Sequence, residues 1–133
     1  MENDNLIKLA VEAKKNARAV NTGYKVGAAL LAGNNIYTGC NVEHSIADLG
    51  CCAERIAMFK AISEGENTFE KIAVVGGFGD KVDSTLSPCG ACRQYILDFN
   101  KDMKIVFLKN GEIVEKTLKE MMTDIFDLEE KKK

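Results

Sequence analysis

From Leu6 onward, Leu6, Leu9, Ala10, Ala13, Ala17 and Val20 recur every three or four positions among polar residues. This spacing predicts an amphipathic helix ending near Asn21 and Gly23. The period then changes. KVGAALLA, the turn GNN and IYTGCNV read as two strands joined by a tight turn, with Asn and Gly supplying the positive φ that such turns need. CAERIAMFKAISEG returns to good helix formers, with Ile56, Ala57, Phe59, Ala61 and Ile62 as apolar positions and Gly65 as the stop. KIAVVGG is apolar along most of its length, the signature of a strand buried on both faces. Pro88 stands immediately before a further helix in PCGACRQYILDFN, whose apolar face includes Tyr95, Ile96 and Phe99. KIVFLKNGEIVEK predicts a second strand pair turning at Asn110-Gly111, and TLKEMMTDIFDL a closing turn or two of helix. The order predicts an α/β fold: a three-layer α/β/α sandwich around one mixed sheet of about five strands.

With 133 residues, 46% of them apolar, the chain is expected to form a single domain over 1–133, with the charged end from about 129 to 133 as a solvated tail. Composition narrows the partners. Eighteen Lys and Arg against twenty Asp and Glu give a formal charge of −2, with no basic surplus to draw nucleic acid or an anionic membrane. No apolar run approaches the ~18 residues of a membrane span, and the acidic, amphipathic start is unlike a secretory signal. A small, uncharged or cationic molecule suits this chain better. Five cysteines, an odd number without an export signal, point to reduced thiols in the cytoplasm that act as core residues, reactive groups or metal ligands.

Two segments concentrate the chemistry. Cys89 and Cys92 stand three residues apart at a helix start, so both sulfurs share one face. Cys52 also opens a helix and is followed two residues later by Glu54. The positive end of a helix favours thiolates. A lone C-x-x-C could equally be a redox dithiol or half of a structural zinc knot. Three thiolates with an open fourth position would instead let Zn²⁺ hold a water and lower its pKa, with Glu54 as the base beside it. The only histidine, His44, belongs to another segment and is expected to line the pocket or its rim rather than ligate.

The combination of CAE at 52–54 with PCGAC at 88–92 is the three-cysteine form of the zinc deaminase signature. Together with VGAALL at 26–31, GCNVE at 39–43 and SPCGACRQ at 87–94, it makes the chain resemble the small, homotetrameric type of zinc-dependent cytidine deaminase over nearly its whole length. The resemblance implies one Zn²⁺ per chain on Cys52, Cys89 and Cys92, Glu54 as proton shuttle, and hydrolytic release of ammonia from cytidine or deoxycytidine in pyrimidine salvage. It implies Asn41 and Glu43 as partners of the ribose hydroxyls, and the backbones of Ala53 and Ser87 at the pyrimidine edge. Tyr24 would line the base pocket, and Phe126 would reach into a neighbouring subunit's site. Arg55 and Gln94 would donate hydrogen bonds to ligand sulfurs and offset the negative charge of a three-thiolate zinc. The assembly implied is a homotetramer, or else a homodimer.

The substrate side departs from that pattern. After N-x-E the chain reads HSIADLG, with His44, Ala47 and Asp48 where the family usually has Asn, Tyr and Pro or Gly. Before VGAAL, Asn21 and Tyr24 replace aromatic residues, Tyr24 standing for Phe. Comparable departures occur in relatives that deaminate blasticidin S, so a modified cytosine nucleoside or cytosine nucleoside antibiotic is the alternative substrate. A structural zinc or thiol-redox module and a polynucleotide deaminase are further alternatives, the latter opposed by the acidic balance and the NVE motif. Beside Cys52, Cys51 is expected to be a small buried hydrophobe that leaves the metal alone.

Overall fold

In the computed structural model, which describes residues 1–83 and 85–132, the strand β1 (Tyr24–Ala32) lies near the centre of the sheet and sets its layering. Successive side chains of a strand alternate between faces. Ala28, Leu30 and Ala32 join one apolar cluster and Ala29 the other, which is why KVGAALLA shows no polar face. β1 pairs antiparallel with β2 (Asn35–Cys40) and with β3 (Phe69–Phe78). β3 pairs in parallel with β4 (Lys104–Lys109), and β4 antiparallel with β5 (Glu112–Thr117). The order is β2-β1-β3-β4-β5, the expected mixed sheet of five strands.

Helix α1 (Asn3–Lys14) covers one face with Leu6, Ile7 and Ala10, packed on Ala29, Ala73, Val75 and Val106. On the other face lie α2 (Ala53–Ser63) and α3 (Gly90–Leu97), which bury Ala53, Ala57, Met58, Ala61, Ile96 and Leu97 against Leu30, Ile72, Val74 and Ile105. The parallel β3–α3–β4 crossover places α3 over the sheet. Two short turns of helix, α4 (Leu118–Met121) and α5 (Leu128–Lys131), follow β5. The first carries a Thr117–Glu120 capping box. The second makes the charged end a helical turn begun by Asp127, whose carboxylate meets Lys101 Nζ at 2.5 Å.

The first helix stops at Lys14, well before the expected Asn21. The cause is competition for backbone hydrogen bonds. Arg18 N–H donates to the Asn41 carbonyl at 3.0 Å and Glu43 N–H to the Arg18 carbonyl at 2.7 Å, so residue 18 is a bridge to the 41–43 segment and cannot remain helical. α2 also departs from the expected face: Phe59 and Ile62 are exposed, while Ala53, Glu54, Ala57, Met58 and Ala61 are buried.

Candidate active site

Helix α2 lies on β2 with almost no clearance because Gly39 has no side chain. A Cβ there would stand 2.5 Å from the Ala53 carbonyl oxygen and 2.6 Å from the Ala57 nitrogen, both backbone atoms of α2. This contact seats the first turn of α2, and with it Cys52 at the N-cap and Glu54 in the turn itself. The crossover from β3 brings the start of α3 to the same place, with Cys89 at its N-cap and Cys92, fully buried, in its first turn. Two helix N-termini thus converge. The Sγ atoms of Cys52, Cys89 and Cys92 all lie within 4.8 Å of one another.

The electrostatics of this cluster follow from burial and a few donors. Arg55 Nη2 donates to Cys52 Sγ at 3.5 Å. The hydrogen bond from the Cys92 thiol, assisted by Arg55, holds the Cys52 thiol down at about 5 against the opposing effect of burial. Cys92 is shifted upward because its proton is held by Cys52 and its surroundings are dry. Arg55 in turn is held above its usual value, chiefly by its hydrogen bond to Cys52. Glu54 is 4% exposed, and burial above all pushes its carboxyl up to about 7. Soft anionic donors gathered with an open side suit Zn²⁺, which takes thiolate ligands in tetrahedral sites and keeps a position free where it is catalytic. The Arg55 Nε is buried without a hydrogen-bond partner, so this side chain is committed to the sulfurs by one edge only.

Above the cluster opens a cleft of about 450 Å³, lined among others by Cys52, Ala53, Glu54, Arg55, Ser87 and Cys89, and on its other wall by Asn41, Glu43 and His44. Most of the expected site residues therefore meet in one place. Asn41 joins the strand as much as the cleft: its Oδ1 accepts from Val26 N–H at 2.8 Å and its Nδ2 donates to the Tyr24 carbonyl at 2.9 Å. The Glu43 carboxylate accepts from the Asn21 and Thr22 amides at 2.8 and 3.1 Å and from the Thr22 hydroxyl at 2.7 Å. These bonds, those from Thr22 foremost, hold its pKa below the ordinary carboxylate value.

Two expected residues, Tyr24 and Gln94, lie elsewhere. Tyr24 is absent from the cleft lining and packs edge-on against Phe78, ring centroids 5.1 Å apart. Gln94 Nε2 donates to the Phe126 carbonyl at 2.7 Å instead of to a ligand sulfur, and the Phe126 ring is 58% exposed, outside its own chain's cleft. Cys51 is only half-buried and lines the cleft, its backbone paired with Val42, where a buried core residue was expected. The departures of the sequence gather here as well: Asn21, His44 and Ala47 all line the cleft, while Asp48 sits exposed on the short 3₁₀ turn Ala47–Leu49.

Sequence reasoning missed Thr22 and Arg93. Thr22 caps Glu43 from 21 residues away, and only its place in a turn before a strand hinted at such a role. Arg93 donates from Nη2 to Ser87 Oγ and from Nη1 to the Met121 carbonyl, both at 2.9 Å, tying the cleft edge to the C-terminal segment.

The zinc-binding region of the cytidine and deoxycytidylate deaminases, as a family model, matches residues 1–109. A cytidine deaminase of Sporosarcina psychrophila is 39% identical over 133 residues, covering 98% of this chain and 95% of its own. A blasticidin-S deaminase of Bacillus cereus is 35% identical over 104 residues, 74% of either chain. Among solved structures, the cytidine deaminase of Burkholderia pseudomallei superposes with a TM-score of 0.83 at 34% identity, covering 95% of this chain and 100% of that one.

Proposed function

The chain belongs to the cytidine and deoxycytidylate deaminase family, and on that premise we propose that it hydrolyses the exocyclic C–N bond of cytidine and deoxycytidine, giving the uridine product and ammonia. The observation that carries this reading is the meeting of three cysteine sulfurs and one buried carboxylate in a cleft of nucleoside size.

Cys52, Cys89 and Cys92 would hold Zn²⁺, which as a Lewis acid makes hydroxide available from water near neutral pH. Glu54 then moves the protons. Its carboxylate takes one from the attacking water, passes it to ring N3 as the new C4–O bond forms, and delivers the next to the departing amino group as the C4–N bond breaks, so that nucleoside and water become product and ammonia. The buried position of Glu54 excludes bulk water from that transfer. Arg55 draws negative charge from Cys52, lowering the electron density that three thiolates would otherwise concentrate on the metal. The Ala53 and Ser87 backbones face the ring edge, and Asn41 and Glu43 the sugar.

The whole chain acts as one deaminase domain. Pyrimidine salvage is its setting, since the products are ordinary pyrimidine nucleosides. A reducing compartment, the cytoplasm, suits ligands that must stay thiolate. Among the described residues no helix is long and apolar enough to cross a membrane, and the acidic balance disfavours nucleic acid. The outward ring of Phe126, its backbone fixed by Gln94, supports assembly as a homotetramer.

A second reading, deamination of a modified cytosine nucleoside such as blasticidin S, is favoured by one observation: Asn21, His44 and Ala47 alter the cleft wall and leave the metal end untouched. Metal analysis and an ultraviolet deamination assay over cytidine, deoxycytidine, free cytosine and blasticidin S separate the readings. We expect one zinc per chain and turnover of the nucleosides; zinc without turnover of any of them would leave a structural zinc module. Glu54→Gln should keep its zinc and lose at least about a hundredfold in kcat, and a variant as active as the parent would remove the proton-shuttle role.

A further inference from the structure

The sugar-side wall has less free hydrogen-bonding capacity in Asn41 and Glu43 than their side chains suggest. Asn41 spends its oxygen on Val26 N–H and one of its two N–H groups on the Tyr24 carbonyl. Glu43 Oε1 already accepts two backbone amides and Oε2 one hydroxyl. What remains is acceptor capacity, chiefly on Glu43 Oε2, and a single Nδ2 N–H of Asn41 as the one side-chain donor of the pair. A sugar hydroxyl that donates its proton to Glu43 keeps an oxygen that needs a donor of its own, because a polar atom pressed unpaired against a protein wall is costly.

His44 offers a second donor on this wall. His44 is among the residues lining the same cleft, and its imidazole Nδ1 accepts the backbone N–H of Ile46 at 2.9 Å. A ring nitrogen that accepts cannot carry the proton, so the imidazole proton is on Nε2, the assignment following from the hydrogen bond at Nδ1. The backbone beneath it is fixed from the N-terminal turn. Asn21 Nδ2 donates to the His44 carbonyl at 2.6 Å, and the Arg18 guanidinium donates to the Glu43 carbonyl. The donor therefore stands on a braced loop beside Glu43, with one N–H uncommitted.

We propose that His44 is a specificity-determining residue, donating Nε2–H to the oxygen of a sugar hydroxyl whose own proton goes to Glu43, so that the cleft selects substrates in which that hydroxyl is present and free. The proposal rests on the nucleoside deaminase reading above. It assigns to one exposed residue two separable jobs: Nδ1 holds the local turn, and Nε2 reads the substrate.

Two substitutions separate the jobs. In His44→Asn the shorter side chain can still accept from the N–H two residues on, as Asn does in Asx turns, but no donor reaches the Nε2 position. In His44→Gln an amide N–H reaches about as far as Nε2, while the turn acceptor is lost. Both lie in an exposed loop and change no core contact. The assay is steady-state deamination of cytidine and its 2′-, 3′- and 5′-deoxy analogues by wild type and both variants. His44→Asn should lose about tenfold in kcat/KM on cytidine, mainly through KM, and the loss should disappear on the one analogue that lacks the recognised hydroxyl. His44→Gln should stay within about threefold of wild type throughout. The proposal is overturned if His44→Asn matches wild type on every substrate, if both variants lose alike, or if the loss is equal on all four substrates, which would leave only the turn. A wild type inactive on the whole set would bring down the nucleoside reading and this proposal together, whereas an active wild type with any of the former patterns removes this proposal alone.

Discussion

Replacing Gly39 by alanine is expected to lift the start of α2 off the sheet and spoil the site with little change in the rest of the fold. The new Cβ would meet the Ala53 oxygen at 2.5 Å, the Ala57 nitrogen at 2.6 Å and the Ile56 Cβ at 3.1 Å. The first two are helix backbone, with no rotamer to swing aside. Ordinary contact begins at 3.4 Å, so α2 must retreat by about 0.9 Å, carrying Cys52 and Glu54 with it. Overpacking of this kind costs about 1–3 kcal/mol of stability. A misplacement of order 1 Å costs about a hundredfold in rate. Gly27→Ala is the matched control, because its Cβ would meet the Ala10 oxygen at 2.0 Å on the opposite face, where α1 carries no ligand. Urea titration, bound zinc and kcat/KM per folded molecule should show both variants destabilised but only Gly39→Ala losing most of its activity. The reasoning is refuted if Gly39→Ala is as stable as the parent with activity within threefold, or if Gly27→Ala loses activity as severely.

Cys52→Ala should lose both zinc and turnover, whereas Cys51→Val should keep both to within a few-fold, as metal analysis and the deamination assay would show; zinc loss from Cys51→Val would make that thiol a ligand. Thr22→Val should act on stability through Glu43 in a pH-dependent way. The folded carboxyl titrates below the ordinary glutamate value mainly because Thr22 donates to it, so its stabilisation is complete above that value and lost as pH falls through the lower folded pKa. The gap in urea midpoint between parent and Thr22→Val should therefore narrow from pH 6 towards pH 3, and a gap that stays constant with pH would mean that Thr22 acts only through its bond to Tyr24 N–H.

The metal end was legible in the sequence because its logic is local. Two cysteines three apart at a helix start share a face wherever the helix goes, and Cys52-x-Glu54 places a ligand and an acid on one turn. Sheet and layering were legible too, since Ala28, Leu30 and Ala32 alternate with Gly27 and Ala29 in a strand covered on both sides. What escaped depends on contacts distant in sequence. The end of α1 is decided by Arg18 pairing with residues 41 and 43, and no local propensity announces that exchange. Gln94 is claimed by a carbonyl 32 residues later, because the C-terminal segment folds back along α3. Tyr24 stands where an aromatic was expected in the pocket, yet its ring lies over Gly76, whose missing side chain leaves it room, and packs on the neighbouring Phe78.

The cleft is joined from two kinds of material: helix ends clamped to the sheet by Gly39 on the metal side, and the loops at 21–22 and 43–50 on the other. Those loops are tied mainly to each other and stand outside the core, so a substitution there leaves the helix packing alone, while an error at the helix ends disturbs core and catalysis at once. Evolution can therefore vary the clientele of this protein by drift in a handful of surface positions, with the reaction itself shielded from the experiment. Asn21, His44 and Ala47, all on that wall, are the positions where such variation would act on the substrate and leave the metal end unchanged.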